Sequence, residues 1–117
     1  MFKRQALTSV LYIHIFAYMN ITLMQKKAIA VSALLKSLSH PKRLLILCQL
    51  VEQERAVGDL AALLRAREAA ISQQLSLLRK DGLVKTRRDG RTIFYSLARR
   101  DLKSLIGFLY STYCKQS

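Results

Sequence analysis

The chain has 117 residues, 51% of them hydrophobic, and carries 20 Lys plus Arg against 7 Asp plus Glu for a formal charge of +13. That length gives one small domain, and the apolar share excludes a disordered basic tail, whose signature is few apolar residues under high charge. The charge points to a polyanionic partner, nucleic acid first, an anionic membrane surface second and acidic proteins third, while two Cys exclude a disulfide scaffold and no C-x-x-C spacing suggests zinc.

Residues 1–24 stand apart. After Lys3 and Arg4 no charge occurs until Lys26, and residues 6–24 are a run of 19 rich in Leu, Ile, Tyr and Phe. Thr8, Ser9, His14, Asn20 and Thr22 interrupt that run, leaving no surplus apolar length for a membrane span, and no small-x-small site follows for a signal peptidase. Two readings stay open. The segment is an extra apolar helix packed on a partner subunit, or it lies upstream of the natural start, with Met19 or Met24 as initiator. Residues 25–117 read as the folded domain.

From residue 26 the apolar period is helical. Val31, Leu34, Leu35 and Leu38 follow the i, i+3, i+4, i+7 spacing of one face, and this helix should stop before Ser39, His40 and Pro41. Pro41 suits the first turn of a second helix, whose apolar positions are Leu44, Leu45, Leu47, Cys48 and Val51. Glu52, Gln53, Glu54 and Arg55 read as a solvated connection. A short helix over 57–64 should turn Leu60, Leu63 and Leu64 inward, residues 65–68 form a turn, and a fourth helix over 68–80 should bury Ile71, Leu75 and Leu78. Gly82 is placed to end it in the left-handed conformation.

The period then changes from 3.6 to 2. Residues 83–88 and 91–97 are β-rich stretches around Asp89 and Gly90, the two-residue signal for a type I′ hairpin. Asp101 starts a last helix with Leu102, Leu105, Ile106, Leu109 and Tyr113 at helical spacing. The expected fold is mainly α: a winged helix-turn-helix of five helices with a β-hairpin wing before the last. In such a module the second helix of the pair enters the major groove of double-stranded DNA and the hairpin lies along the backbone.

The exposed face of that second helix offers Arg67, Ser72, Gln73, Gln74, Ser76 and Arg79. Gln bonds adenine bidentately, Ser contacts phosphate or base edges, and Arg holds phosphate oxygens. Residues 79–103 carry nine Lys or Arg against three Asp, a local charge of +6, and Arg87, Arg88 and Arg91 flank the hairpin turn. An enzyme is not expected. No Ser-His-Asp or Cys-His set is apparent, and Gly58, Gly82, Gly90 and Gly107 form no phosphate loop, so no cofactor is expected either. The competing reading is a basic membrane-associated protein anchored by residues 6–24. It explains the amino-terminal run but not the helix pair followed by Asp89-Gly90.

The run Leu34-Leu35-Lys36-Ser37-Leu38-Ser39-His40-Pro41-Lys42-Arg43, the run Ile71-Ser72-Gln73-Gln74-Leu75-Ser76-Leu77-Leu78-Arg79-Lys80-Asp81-Gly82-Leu83-Val84 and the wing Arg88-Asp89-Gly90-Arg91 leading to Phe94-Tyr95 carry a resemblance. In this order they are similar to the ArsR family of small bacterial winged-helix repressors, over residues 26–114. The resemblance implies a cytoplasmic homodimer, joined through its first and last helices, that covers an imperfect palindrome and blocks transcription until an inducer acts. Many members place His where Gln74 stands here.

Arsenic-sensing members carry Cys where this chain has Glu54-Arg55-Ala56-Val57-Gly58-Asp59-Leu60, and zinc-sensing members use Asp and His on the last helix. From Asp101 onward there is no His and no other carboxylate, and His14 and His40 sit far away in sequence, so no metal is expected. Cys48 and Cys114 remain. Cys48, beside Leu44, Leu45 and Val51, is either a buried small hydrophobe or a reactive thiol, whereas Cys114 sits near a polar terminus beside Lys115. The pair resembles the sulfide- and persulfide-responsive dithiol subgroup of the family, the biofilm growth-associated repressor type. That resemblance implies a disulfide or polysulfide link between Cys48 and Cys114 that shifts the last helix and lowers operator affinity. A member of the family without thiol sensing stays open beside it.

Overall fold

A computed structural model describes residues 21–114. Residues 1–20, which hold most of the apolar run and His14, lie outside the described residues, as do residues 115–117 with Lys115. The element order is α1 (Ile21–Leu38), α2 (Pro41–Gln49), β1 (Arg55–Ala56), α3 (Val57–Leu64), α4 (Glu68–Lys80), β2 (Val84–Asp89), β3 (Thr92–Leu97) and α5 (Arg100–Tyr113). This is the mainly helical plan with a hairpin before the last helix, with β1 as an addition. Among the described residues no helix is long and apolar enough to cross a membrane.

The chain divides into two compact units, residues 1–35 and residues 36–117. In the first, α1 begins by Ile21 and passes without a break through residues 24 and 25. Its side chains Ile21, Leu23, Met24 and Ile29 are exposed, and Val31 and Leu35, on the apolar face that the spacing marks, are 48% and 50% exposed. Of that four-residue stripe only Leu34 and Leu38 are buried. Periodicity marks the apolar face of a helix, but one chain covers only part of it.

In the second unit the chain turns out of α1 where the sequence breaks. Ser39 Oγ donates to the Lys36 carbonyl at 2.7 Å, and Pro41 occupies the first turn of α2, where its missing N–H costs nothing. α2 buries Ile46 and Leu47, Leu50 just past its end is buried too, and Leu45, one of its apolar positions, is exposed. In α3, Leu60 and Ala61 are buried while Leu63, expected inward, is 51% exposed. The small Ala61 takes the inward position beside Leu60. Arg65 ends α3 with φ +51°, the one positive-φ residue other than glycine among those described, and the Ala66 N–H donates to the Ala61 carbonyl at 2.9 Å.

α4 buries Ile71, Leu75 and Leu78, as its spacing dictates. Gly82 has φ +75° and closes the helix with two backbone bonds, Leu83 N–H to the Leu78 carbonyl at 2.9 Å and Gly82 N–H to the Arg79 carbonyl at 3.0 Å. That is the Schellman arrangement, and buried Leu83 completes it by packing back as the chain enters β2. The three strands are antiparallel in the order β1-β3-β2.

The register corrects the hairpin turn. Asp89 pairs with Thr92, so the two loop residues are Gly90 and Arg91 rather than Asp89 and Gly90. Only Gly90 has positive φ, +63°, which is the type II′ sign pattern with Gly first and not type I′. Asp89 belongs to the ladder. α5 then buries Leu102 and Ile106, half-buries Leu105 and Leu109, and exposes Phe108, Tyr110 and Tyr113.

Candidate nucleic-acid interface

α3, the turn at Arg65 and α4 form a helix pair whose second member keeps its apolar residues on one side. With Ile71, Leu75 and Leu78 in the core, Ser72, Gln73, Ser76 and Arg79 are left on the exposed side, and Arg67, also exposed, immediately precedes the helix. Lys80 extends this surface at the other end of the helix. The result is a polar face of hydroxyls, one amide and cations, able to donate to and accept from base edges and phosphate oxygens.

Gln74 is a different case. It is half-buried on the flank of α4, and its Oε1 accepts a hydrogen bond from Arg43 Nε of α2 at 3.1 Å. Gln74, expected on the groove face, is thus directed inward as an anchor between two helices. At the far end of α4, Ser37 Oγ donates to Asp81 Oδ2 at 3.2 Å.

The wing follows directly from Gly82. Arg88 and Arg91 are exposed at its tip, and Lys85 is exposed near its base, opposite Ser96. Arg87 is engaged within the protein. Its Nε donates to Glu54 Oε1 and Oε2 at 3.2 and 3.1 Å, and its Nη2 donates to Oε1 at 2.5 Å. The guanidinium lies 4.8 Å from the centroid of the Phe94 ring, and Nη1 is 3.8 Å from Asp89 Oδ2. The hydrogen bonds from Arg87 hold the Glu54 carboxyl below its ordinary pKa, against a smaller opposing effect of desolvation. Glu54 belongs to the charged run that the sequence predicts to be a solvated connection, yet the chain around it is structured. Arg55 enters β1 opposite Tyr95, and its Nε donates to the Gln49 carbonyl at 2.9 Å.

Both thiols are free. Cys48 is half-buried near the end of α2, and Cys114 is exposed at the carboxyl end of α5, where its N–H donates to the Tyr110 carbonyl at 2.9 Å. Burial pushes the Cys48 thiol above its ordinary pKa, and the charge of a Cys114 thiolate adds in the same direction. A cavity of about 370 Å³ opens beside Cys48, walled by Val51 and Arg55 on one side and by Ile106, Gly107 and Tyr110 of α5 on the other. Among the described residues no cluster of three His, Cys, Asp or Glu could hold a metal ion.

Sequence reasoning missed Arg43 and Glu54. Each bonds a residue of the expected surface from more than thirty positions away, and no local pattern signals such a contact.

Comparison with known proteins places this geometry among bacterial regulators. Residues 40–86 match the model of the bacterial regulatory protein arsR family. The chain is 40% identical over 99 residues to the transcriptional activator HlyU of Vibrio cholerae, covering 85% of this chain and 92% of that one. It is 46% identical over 91 residues to the biofilm growth-associated repressor of Agrobacterium fabrum, 78% of each chain. The crystal structure of the transcriptional repressor BigR from Xylella fastidiosa superposes with a TM-score of 0.77 at 43% identity, over 84% of this chain and 100% of that one.

Proposed function

The chain belongs to the ArsR family of bacterial transcriptional regulators, and from that premise we propose that it is a homodimeric cytoplasmic repressor, released from an imperfect palindromic operator when oxidant or reactive sulfur links Cys48 to Cys114. The observation that carries the DNA reading is the continuity of α4 and the wing. A helix with Ser72, Gln73, Ser76 and Arg79 on its exposed side ends at Gly82 and passes at once into a hairpin tipped by Arg88 and Arg91. Gln73 reads a base edge in the major groove, Arg67 and Arg79 hold phosphates at the two ends of the helix, and Arg88 and Arg91 hold the backbone beside it. Exposed apolar side chains on α1 and on α5, among them Ile29, Leu35, Phe108 and Tyr113, support pairing of two chains through those helices.

The thiol reading is supported by the cavity beside Cys48, whose opposite wall is Ile106, Gly107 and Tyr110 of α5, the helix that ends at Cys114. Closing a disulfide takes two electrons and two protons from the pair, which the oxidant accepts; a polysulfide bridge spans a longer gap. Either link draws the end of α5 toward α2, changes the separation of the two recognition helices in the dimer and so lowers operator affinity.

Two experiments test these readings separately. Binding to duplex DNA should keep a sequence preference at salt concentrations where binding to random duplex and to anionic vesicles has gone; equal loss on all three would remove the operator. Polysulfide treatment should release wild-type protein from DNA but leave Cys48→Ser and Cys114→Ser bound. Equal release of all three proteins would remove the thiol switch while leaving DNA recognition in place.

A further inference from the structure

We infer that Glu54 is a specificity-determining residue that withholds Arg87 from the DNA backbone, so that the wing engages phosphate only through its other cations. The inference rests on the DNA-binding reading and adds to it a residue outside both the helix pair and the hairpin.

The geometry is that of an occupied phosphate site. An Arg guanidinium meets carboxylate and phosphate with the same planar fork, two parallel N–H groups onto two oxygens. In Arg87 that fork, Nε with Nη2, already lies on Glu54. The remaining terminal nitrogen leans toward Asp89, and one face of the group lies over Phe94. Two carboxylates therefore surround one cation on a strand that ends in a turn flanked by Arg88 and Arg91.

Glu54 is held in place by the sheet. Arg55 and Ala56 pair with Tyr95 and Phe94 of β3, and Phe94 pairs in turn with Arg87 of β2. Ala56, Phe94 and Arg87 thus form one row across three strands, and Glu54 precedes that row by two residues. An ion pair as exposed as this one adds little to stability, with side chains 53% and 37% accessible. Its consequence lies in the number of charges offered to DNA. Non-specific affinity grows with every phosphate neutralised, whereas base readout does not, so a cation removed from the backbone raises the ratio of specific to random binding.

The test is a salt titration of fluorescence anisotropy with two probes, a random 30-base-pair duplex and a duplex from the region upstream of the protein's own gene. Each freed phosphate contact steepens the slope of log K against log salt by about 0.9, or about 3.5-fold in affinity between 50 and 200 mM salt. Glu54→Gln should steepen the slope by that amount per protomer and strengthen binding to the random duplex more than to the upstream one. Arg87→Gln should leave the wild-type slope unchanged, and the double variant should return to it, which separates a freed Arg87 from mere loss of a negative charge. If Arg87→Gln lowers the slope by about 0.9, as Arg88→Gln should, or if Glu54→Gln leaves it unchanged, the inference is overturned. Thermal unfolding followed by circular dichroism checks that Glu54→Gln is folded, and the Arg87→Gln comparison stands without it. A wild-type protein that binds neither probe even at 50 mM salt, where phosphate contacts are strongest, would instead refute DNA binding itself.

Discussion

Removing the anchor between α2 and α4 distinguishes a residue that reads DNA from one that positions the reader. Arg43 Nε donates to Gln74 Oε1 at 3.1 Å in a half-buried setting. Gln74→Ala leaves the guanidinium without that acceptor, and a hydrogen bond to a charged group contributes about 1.5–3 kcal/mol net. Because both partners keep some contact with water, the lower end applies, and a double-mutant cycle of Arg43→Met and Gln74→Ala in urea should give a coupling of about 1.5 kcal/mol. DNA binding supplies the second reading. Gln74→Ala should lower affinity without changing the order of preference among operators altered one base pair at a time, since no base contact is lost. A coupling below about 0.5 kcal/mol, the range in which independent sites simply add, would refute the anchoring role. So would a change of base preference at one operator position, which would place Gln74 on the groove face after all.

Gln73→Ala, on the exposed side of the same helix, should show the opposite pattern in competition binding: a loss of about 1–3 kcal/mol confined to one base pair of each half-site, with equal weakening on all duplexes as the contrary result. Gly82→Ala should cost about 1 kcal/mol in urea denaturation, because a Cβ there meets nothing within 4 Å and only the left-handed backbone at φ +75° resists it. A cost above about 3 kcal/mol would mean that packing, and not handedness, requires the glycine. The Cys48 thiol should alkylate slowly at neutral pH, with a rate still climbing where an ordinary thiol has levelled off, because its raised pKa keeps the thiolate scarce. Mass spectrometry of the Cys48 peptide reads this, and Cys114→Ser should move the profile part of the way back. The linked stability has the same sign: protonated Cys48 favours the folded chain below the unfolded-state thiol pKa, and that contribution is lost as pH rises through the higher folded value.

Much of the fold was legible because the relevant signals are local. Ile71, Leu75 and Leu78 fix the buried side of α4 by spacing alone, and Gly82 marks its end because a left-handed residue is needed there. Leu63, expected inward, is exposed, as are the apolar positions Val31, Leu35 and Leu45, because spacing identifies an apolar stripe without saying how much of it a small domain covers. The hairpin slipped by one residue for a related reason. Asp89-Gly90 and Gly90-Arg91 both satisfy the chemistry of a tight turn, and the choice falls to the ladder running from Val84 opposite Leu97 to Asp89 opposite Thr92. The exposed side of α4, with Ser72, Gln73 and Ser76, follows from the helix alone. The inward direction of Gln74 and the pairing of Arg87 do not, because their partners, Arg43 and Glu54, lie 31 and 33 residues away in sequence.

The most direct measurement is a gel-shift titration on the duplex upstream of the protein's own gene, run on one preparation under reductant and again after polysulfide treatment. The reduced protein should bind as a dimer, prefer this duplex to a scrambled one at physiological salt, and release it on polysulfide treatment, with binding restored by reductant. Binding that ignores sequence in the reduced state would contradict recognition by α4 and the wing, and specific binding that survives polysulfide would contradict control by Cys48 and Cys114.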